Sequence, residues 1–311
     1  MAYSYILFGG DGFIGQHLQQ ALAGESDQIV IIGRKKRQEL PANQLFYSVD
    51  EHSLDEIAAS LSPDKQYRII DLAYATVPNT SFNDPVKDFS ENLQNVINHL
   101  EFARNIRADK FIYISSGGTV YGNATDAHIP ETAPNYPLSP YGITKMACER
   151  YVNLYHVLHG LPTLILRPSN VYGPYQAPFR GQGVIATALA LVNKEQPLDL
   201  FGDGSIVRDF LYVDDFCAGF KELVQYAGNG EIYNIGYGAG HSIMEVITTI
   251  NEVVAAENKE LKISYKPERS FDVKRNVLDI RKLSALKGWQ PDTGLEEGIR
   301  KTWAWMKGQV Y

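Results

Sequence analysis

Tyr141 and Lys145 stand four residues apart in the run Tyr141-Gly142-Ile143-Thr144-Lys145, directly after Pro140. Proline suits the first turn of a helix, and a spacing of four puts the phenol and the ammonium on one helical face. A phenol at its ordinary pKa near 10 is a poor base at neutral pH, but a cation one turn away would stabilise the phenolate and bring it towards the working range. Such a pair can move a proton on and off a substrate oxygen. Upstream, the apolar run Lys110–Ile114 ends in Ser115-Ser116-Gly117-Gly118-Thr119-Val120-Tyr121-Gly122. Ser116 or Thr119 there can hydrogen-bond a substrate oxygen beside the phenol. A Tyr and a Lys four apart are also what an ordinary surface helix would show, so placement has to carry the case.

A second set of residues suits a phosphate. Gly9-Gly10-Asp11-Gly12-Phe13-Ile14-Gly15 follows the first apolar run and leads into a helical pattern. A tight turn without Cβ atoms lets a pyrophosphate approach the backbone, and the free N–H groups and dipole of the following helix favour its charge. The strand–turn–helix context reads as a dinucleotide site. After the second apolar run, where an acidic residue would take the ribose hydroxyls of NAD, the chain reads Gly33-Arg34-Lys35-Lys36-Arg37, which contains no carboxylate. Arg34 and Lys35 can pair with a 2′-phosphate, so the cofactor is expected to be NAD(P), with these two residues pointing to NADP(H).

These residues need an α/β scaffold, and the hydrophobic pattern supplies one. Short apolar runs at Tyr5–Phe8, Ile29–Ile32, Arg68–Leu72, Lys110–Ile114 and Thr163–Arg167 alternate with helical stretches such as Phe13–Ala23, Phe89–Asn105 and Tyr141–His159. That alternation predicts βαβ units wound on both faces of a parallel sheet, whose ligands collect at the carboxyl edge of the strands. Pro, Gly and Gln interrupt it over Asn170–Pro197, and charge and Pro do so over Lys262–Asp292. The expected architecture is a doubly wound (Rossmann) sheet with a smaller, mixed α/β substrate domain. The boundaries expected are 1–169, with 206–238 returning to it, for the dinucleotide domain, and 170–205 with 239–311 for the smaller one.

Composition removes several classes of function. Lys+Arg number 29 against 36 Asp+Glu, a formal net charge of −7 that gives nucleic-acid binding no support. No window approaches the apolar length of a membrane span, and the first residues lack a basic leader, so no membrane association is expected. Cys148 and Cys217 form no CxxC pair, which argues against a disulfide framework or thiolate metal site and favours a reducing cytoplasm. His156 and His159 lie three apart on a helix, but without further ligands in range they read as a polar face, and no metal is expected.

Taken in order, the Gly9/Gly12/Gly15 turn, Asn92, the SSGGTVYG strand end, Tyr141/Lys145, Arg167-Pro168-Ser169-Asn170-Val171-Tyr172-Gly173-Pro174 and Val207-Arg208-Asp209-Phe210 resemble the extended short-chain dehydrogenase/reductases of the NAD-dependent epimerase/dehydratase family. The resemblance covers essentially the whole chain. It implies a nucleotide-sugar enzyme in which Tyr141 is the acid/base on the sugar hydroxyl and Lys145 tunes it and holds the nicotinamide ribose. It places Gly9, Gly12, Phe13, Ile14, Gly15, Leu72, Ala73 and Asn92 on the cofactor. Asn170, Arg208 and Arg269 would touch the sugar nucleotide's diphosphate, with Gln182, Asp272 and Tyr172 in the same pocket. A homodimer is the analogous assembly. The family's catalytic Ser/Thr falls on Gly117, leaving Thr119, preferred from side-chain alternation, or Ser116 to supply the hydroxyl.

The dehydratase branch carries an Asp-Glu pair where this chain has Gly118 and Thr119, so elimination chemistry recedes. Epimerase-reductases that use a Cys and a His find no matching motif at Cys148 or Cys217. A UDP-hexose-type 4-epimerase is preferred; Arg180-Gly181-Gln182-Gly183-Val184 is a local match to it. An NADPH-dependent 4-keto-6-deoxyhexose reductase, favoured by the Arg34–Arg37 loop, and a non-catalytic dinucleotide sensor are the alternatives.

Overall fold

The computed structural model describes residues 3–34, 39–269 and 272–309. In chain order the first elements are β1 (Tyr3–Phe8), α1 (Phe13–Leu22), β2 (Ser26–Gly33), β3 (Gln44–Ser48), α2 (Leu54–Ser60), β4 (Tyr67–Asp71), α3 (Pro78–Asn83), α4 (Pro85–Asn105), β5 (Lys110–Ile114), α5 (Pro140–His159) and β6 (Thr163–Pro168). There follow β7 (Asn170–Tyr172), α6 (Val184–Lys194), β8 (Leu198–Phe201), β9 (Val207–Tyr212), α7 (Val213–Tyr226), β10 (Glu231–Ile235), β11 (Gly240–Ser242), α8 (Ile243–Ala255), β12 (Ile263–Lys266), β13 (Arg275–Asn276), α9 (Arg281–Lys287) and α10 (Leu295–Met306).

Seven strands form one sheet in the order β10-β6-β5-β4-β1-β2-β3, and every pairing in it is parallel. The apolar runs of the sequence are its central strands, buried on both faces because helices cover both. Alternation within β1 shows the division: Tyr5 and Leu7 pack with Leu18 of α1 and Phe216 and Phe220 of α7, whereas Ile6 and Phe8 pack with Leu93, Val96 and Leu100 of α4 and Val152 of α5. The edge strand β3 was not expected. It is short and mostly half-buried, with polar residues at both ends and Leu45-Phe46-Tyr47 between them.

A second core joins α6, α8 and α10 to β8 and β9 through Leu189, Leu200, Phe210, Val246, Ile250 and Trp303. The expected boundaries are finer in the structure. Val207–Tyr212 pairs with β7, β11 and β13 in the smaller sheet while its Leu211 packs into the large sheet's core, and the chain from α7 to β10 returns to the large sheet. Leu283 of α9 and Trp289 also pack into the large sheet's core, although they fall within the 239–311 segment.

β6 and α5 are tied by a buried ion pair. Arg167 Nε and Nη2 donate to Glu149 Oε1 and Oε2 at 2.9 and 2.6 Å, and Nη1 donates to the Tyr121 hydroxyl at 2.9 Å. Among the described residues, no helix is long and apolar enough to cross a membrane.

Candidate active site

One cleft of about 540 Å³ opens along the carboxyl edge of the large sheet, where β1, β4, β5 and β6 end and the smaller domain begins. Its first wall is the turn between β1 and α1. Gly9 has φ of +70°, and a Cβ there would lie 2.9 Å from Ala73 N, so this crossing of two strand ends requires glycine. Gly12 caps α1 without a side chain, leaving the first-turn N–H groups for a ligand. Gly9, Gly12, Phe13, Ile14, Gly15 and Leu72 line the cleft. These features fit a pyrophosphate. Ala73 is not among the lining residues; it closes against Gly9, with its N–H on Asp71 Oδ1 at 3.2 Å.

Arg34 directly follows β2, outside the cleft, and Lys35 lies outside the described residues. The end of β2 carries no carboxylate of its own, as its sequence says, but one reaches it from elsewhere in the chain. Asp11 reaches across from the glycine turn, and its Oδ2 accepts the Arg34 N–H at 3.1 Å. The reason is steric: Gly33 leaves a space that the Asp11 carboxylate fills.

The opposite wall is α5. Ser139 caps it by accepting the Gly142 N–H at 3.1 Å, and Tyr141 N donates to Ser81 Oγ at 3.1 Å. Tyr141 and Lys145 both line the cleft, as their spacing predicts. Lys145 Nζ donates to Ile114 O at 2.8 Å and lies 3.9 Å from the centre of the Tyr74 ring, 4.9 Å from that of Tyr113 and 5.8 Å from that of Tyr141. Tyr74 in turn sits edge-on to Tyr141 with ring centres 4.8 Å apart.

This packing corrects the electrostatic expectation. Burial pushes the Tyr141 phenol up rather than down, and the buried Asp88 carboxylate adds to the shift. Burial also lowers the Lys145 ammonium to about 8, outweighing Cys148 and the Asp71, Glu149 and Asp88 carboxylates, which favour its charge. Helical spacing shows the partner but not the loss of water around both. Because the folded-state value is below the ordinary 10.5, the charged lysine is a cost present in full below about pH 8 and relieved as pH approaches 10.5. Lys145→Met is therefore expected to stabilise the ligand-free protein at pH 7 by on the order of 2 kcal/mol. Urea unfolding should show that gain shrinking above pH 8; an equal gain at high pH would contradict it.

Ser116 and Thr119 also line the cleft. Thr119 Oγ1 is enclosed and has no hydrogen-bond partner among the described residues. Ser116 Oγ and Asn170 Oδ1 flank the open space beside Gly118, at 3.8 and 4.0 Å from where a Cβ on that glycine would lie. The hydroxyl residue of the family pattern would be crowded at Gly117, where a Cβ would meet Leu278 Cδ1 at 2.7 Å and Arg167 O at 3.0 Å, so the Leu278 side chain would have to shift. The late chain fills this place: Ile129 and Leu278 form an isolated bridge, and Asn276 Nδ2 donates to Gly117 O at 3.0 Å.

Asn170, Gln182, Arg208 and Asp272 complete the cleft. Asn170 Nδ2 is held by Asp209 O at 3.0 Å. Burial lowers the Arg208 guanidinium, with Asp272 opposing. A second cavity of about 520 Å³ continues past Asn170, Gln182 and Arg208, and there the Arg269 guanidinium lies 3.5 Å from the centre of the Phe201 ring. Tyr172 borders that cavity from the core, its hydroxyl on Leu295 O at 3.4 Å. His156 Nδ1 pairs with Leu161 O at 2.9 Å and His159 packs edge-on to Tyr155.

Asn92 is buried in the scaffold, where the resemblance put it on the cofactor. Its Oδ1 accepts Ala75 N–H at 2.7 Å, and its Nδ2 donates to Thr76 Oγ1 and Asp88 O at 3.0 and 2.7 Å. It holds the loop after β4 against α4. The same bundle includes Asp88, which accepts from Thr144 Oγ1 at 2.6 Å and from Thr76 Oγ1. Sequence reading missed Asp88, Thr144 and Tyr74; the only signal available was that Thr144 falls between the two expected site residues.

The chain matches the model of the NAD dependent epimerase/dehydratase family over residues 5–236. It is 33% identical over 304 residues to the UDP-glucose 4-epimerase of Mycolicibacterium smegmatis, covering 96% of each chain. The structure of the Thermus thermophilus UDP-glucose 4-epimerase in complex with NAD superposes with a TM-score of 0.89 at 32% identity, over 99% of this chain and 100% of that one. That of the Thermotoga maritima UDP-glucose 4-epimerase with UDP-glucose gives a TM-score of 0.87 at 31% identity over 98% of both.

Proposed function

Because the chain belongs to the NAD dependent epimerase/dehydratase family, we propose that it interconverts UDP-hexoses at C4, as a UDP-glucose 4-epimerase does. It is an NAD(P)-dependent enzyme of the extended short-chain dehydrogenase/reductase type. One observation carries the reading: a single cleft joins the glycine turn, Tyr141 and Lys145 to Asn170 and Arg208.

Gly9, Gly12 and Gly15 would hold the dinucleotide's pyrophosphate and Lys145 its nicotinamide ribose. The bound cofactor supplies reversible hydride exchange at C4. Tyr141 takes the proton of the C4 hydroxyl and returns it once the 4-keto sugar has turned over in the cleft. Thr119 or Ser116 orients the C4 oxygen. Arg208 and Arg269 hold the diphosphate, with Asn170, Gln182 and Asp272 around it. The 4-keto-6-deoxyhexose reductase and the non-catalytic sensor lack comparable support. UDP-glucose incubated with the purified protein and no added cofactor should yield UDP-galactose by anion-exchange chromatography. If no interconversion occurs with either UDP-glucose or UDP-galactose, the reading fails.

The same reading includes a homodimer and a cytoplasmic location. Ile143, Tyr151, Leu154 and Leu158 form an exposed apolar stripe at helical spacing on α5, and Val86 and Phe89 are exposed on the adjoining α4. A second copy of the same two helices would cover them. Leu154→Asp combined with Leu158→Asp is expected to give a monomer in sedimentation velocity, and an unchanged dimer would refute this interface. Cys148 and Cys217, both buried thiols, suit a reducing compartment.

A further inference from the structure

We propose that Asp11 determines which dinucleotide this protein prefers, standing in for the acidic residue that the end of β2 lacks and selecting NAD(H) over NADP(H). The proposal rests on the cleft holding a nicotinamide dinucleotide, and the two readings separate in the test below.

β1 and β2 are neighbours in register, Phe8 opposite Ile32, and Gly9 N donates to Ile32 O at 2.8 Å. The turn that leaves β1 therefore rises beside the last residues of β2. From it the Asp11 carboxylate reaches the end of that strand, where Oδ2 accepts the Arg34 N–H. A Cβ on Gly33 would lie 2.3 Å from Asp11 Oδ1 and 2.5 Å from its Cγ. The carboxylate thus occupies the volume that a side chain at 33 would take, and the bare strand end and the acidic turn residue are a matched pair.

A carboxylate at this edge of a dinucleotide fold accepts hydrogen bonds from the ribose hydroxyls and repels a 2′-phosphate. Arg34, exposed beside it, is the opposing element, since a guanidinium pairs with phosphate. The sequence presents only the basic half of this arrangement at β2. Its acidic half is 23 residues earlier. With the carboxylate neutralised, Arg34 is left to favour the 2′-phosphate.

Isothermal titration of the full chain with NAD⁺ and with NADP⁺ tests this. Wild type is expected to bind NAD⁺ more tightly. Asp11→Asn, which keeps an oxygen for the Arg34 N–H, should move the ratio of the two dissociation constants towards NADP⁺ by on the order of 10- to 100-fold, the usual worth of a charged hydrogen bond. Arg34→Ala, which leaves the carboxylate in place, should keep the NAD⁺ preference. An unchanged ratio in Asp11→Asn, an NADP⁺ preference in wild type or a reversal in Arg34→Ala overturns the proposal. Wild-type protein that binds neither dinucleotide overturns the cofactor reading and the proposal together.

Discussion

Tyr141→Phe is expected to lower kcat by roughly 10²- to 10⁴-fold, the loss that follows removal of a positioned proton-transfer group. The variant deletes one oxygen and leaves its surroundings intact. The ring still packs edge-on to Tyr74, and the residue 141 N–H still reaches Ser81 Oγ. Dinucleotide affinity and thermal midpoint should therefore change little while turnover collapses. Near-normal kcat would remove the phenol from the reaction. Burial and Asp88 hold the phenol up in the ligand-free cleft, so in the proposed reaction it has to lose its own proton before it can take that of the C4 hydroxyl. Asp88→Asn removes a source of that upward shift without touching the ring. Its pH–rate profile should move to lower pH relative to wild type.

The second large effect is structural. Arg167→Leu is expected to destabilise the ligand-free protein by about 3–5 kcal/mol, because it strands the Glu149 carboxylate in the core. Glu149 also accepts from Ser115 Oγ, directly before the hydroxyl-bearing loop, so the damage lies beneath the active site. Adding Glu149→Leu should recover a large share of the loss, since no charge then remains buried alone. Urea unfolding of the two variants side by side measures this. A double variant no more stable than the single one would show that the pair does more than neutralise itself.

Much of this molecule was legible from local spacing. The glycine turn, the two residues on α5 and the alternation of apolar runs with helical stretches each depend on neighbours within a few residues, and each landed where the pattern puts it. Distant neighbours were not legible. Nothing local says that Asp11 fills the space over Gly33, that Leu278 crowds Gly117, or that Asn92 spends its amide on Thr76 and Asp88. The Tyr141 phenol failed for the related reason that desolvation depends on what the rest of the chain packs around it. β3 is hard to read because its apolar run is only Leu45-Phe46-Tyr47, and β9 because Leu211 faces the large core while Phe210 and Tyr212 face the smaller one.

The bond from Asn276 to Gly117 spans 159 residues, and Leu278 beside it seals the space under the hydroxyl loop. On a ribosome that delivers the amino-terminal half first, the glycine turn and the Tyr141 helix are already outside the exit tunnel before this plug has been translated. A nascent chain can thus assemble the glycine turn and the Tyr141 helix early, but the floor under Gly117 is finished among the last contacts to form.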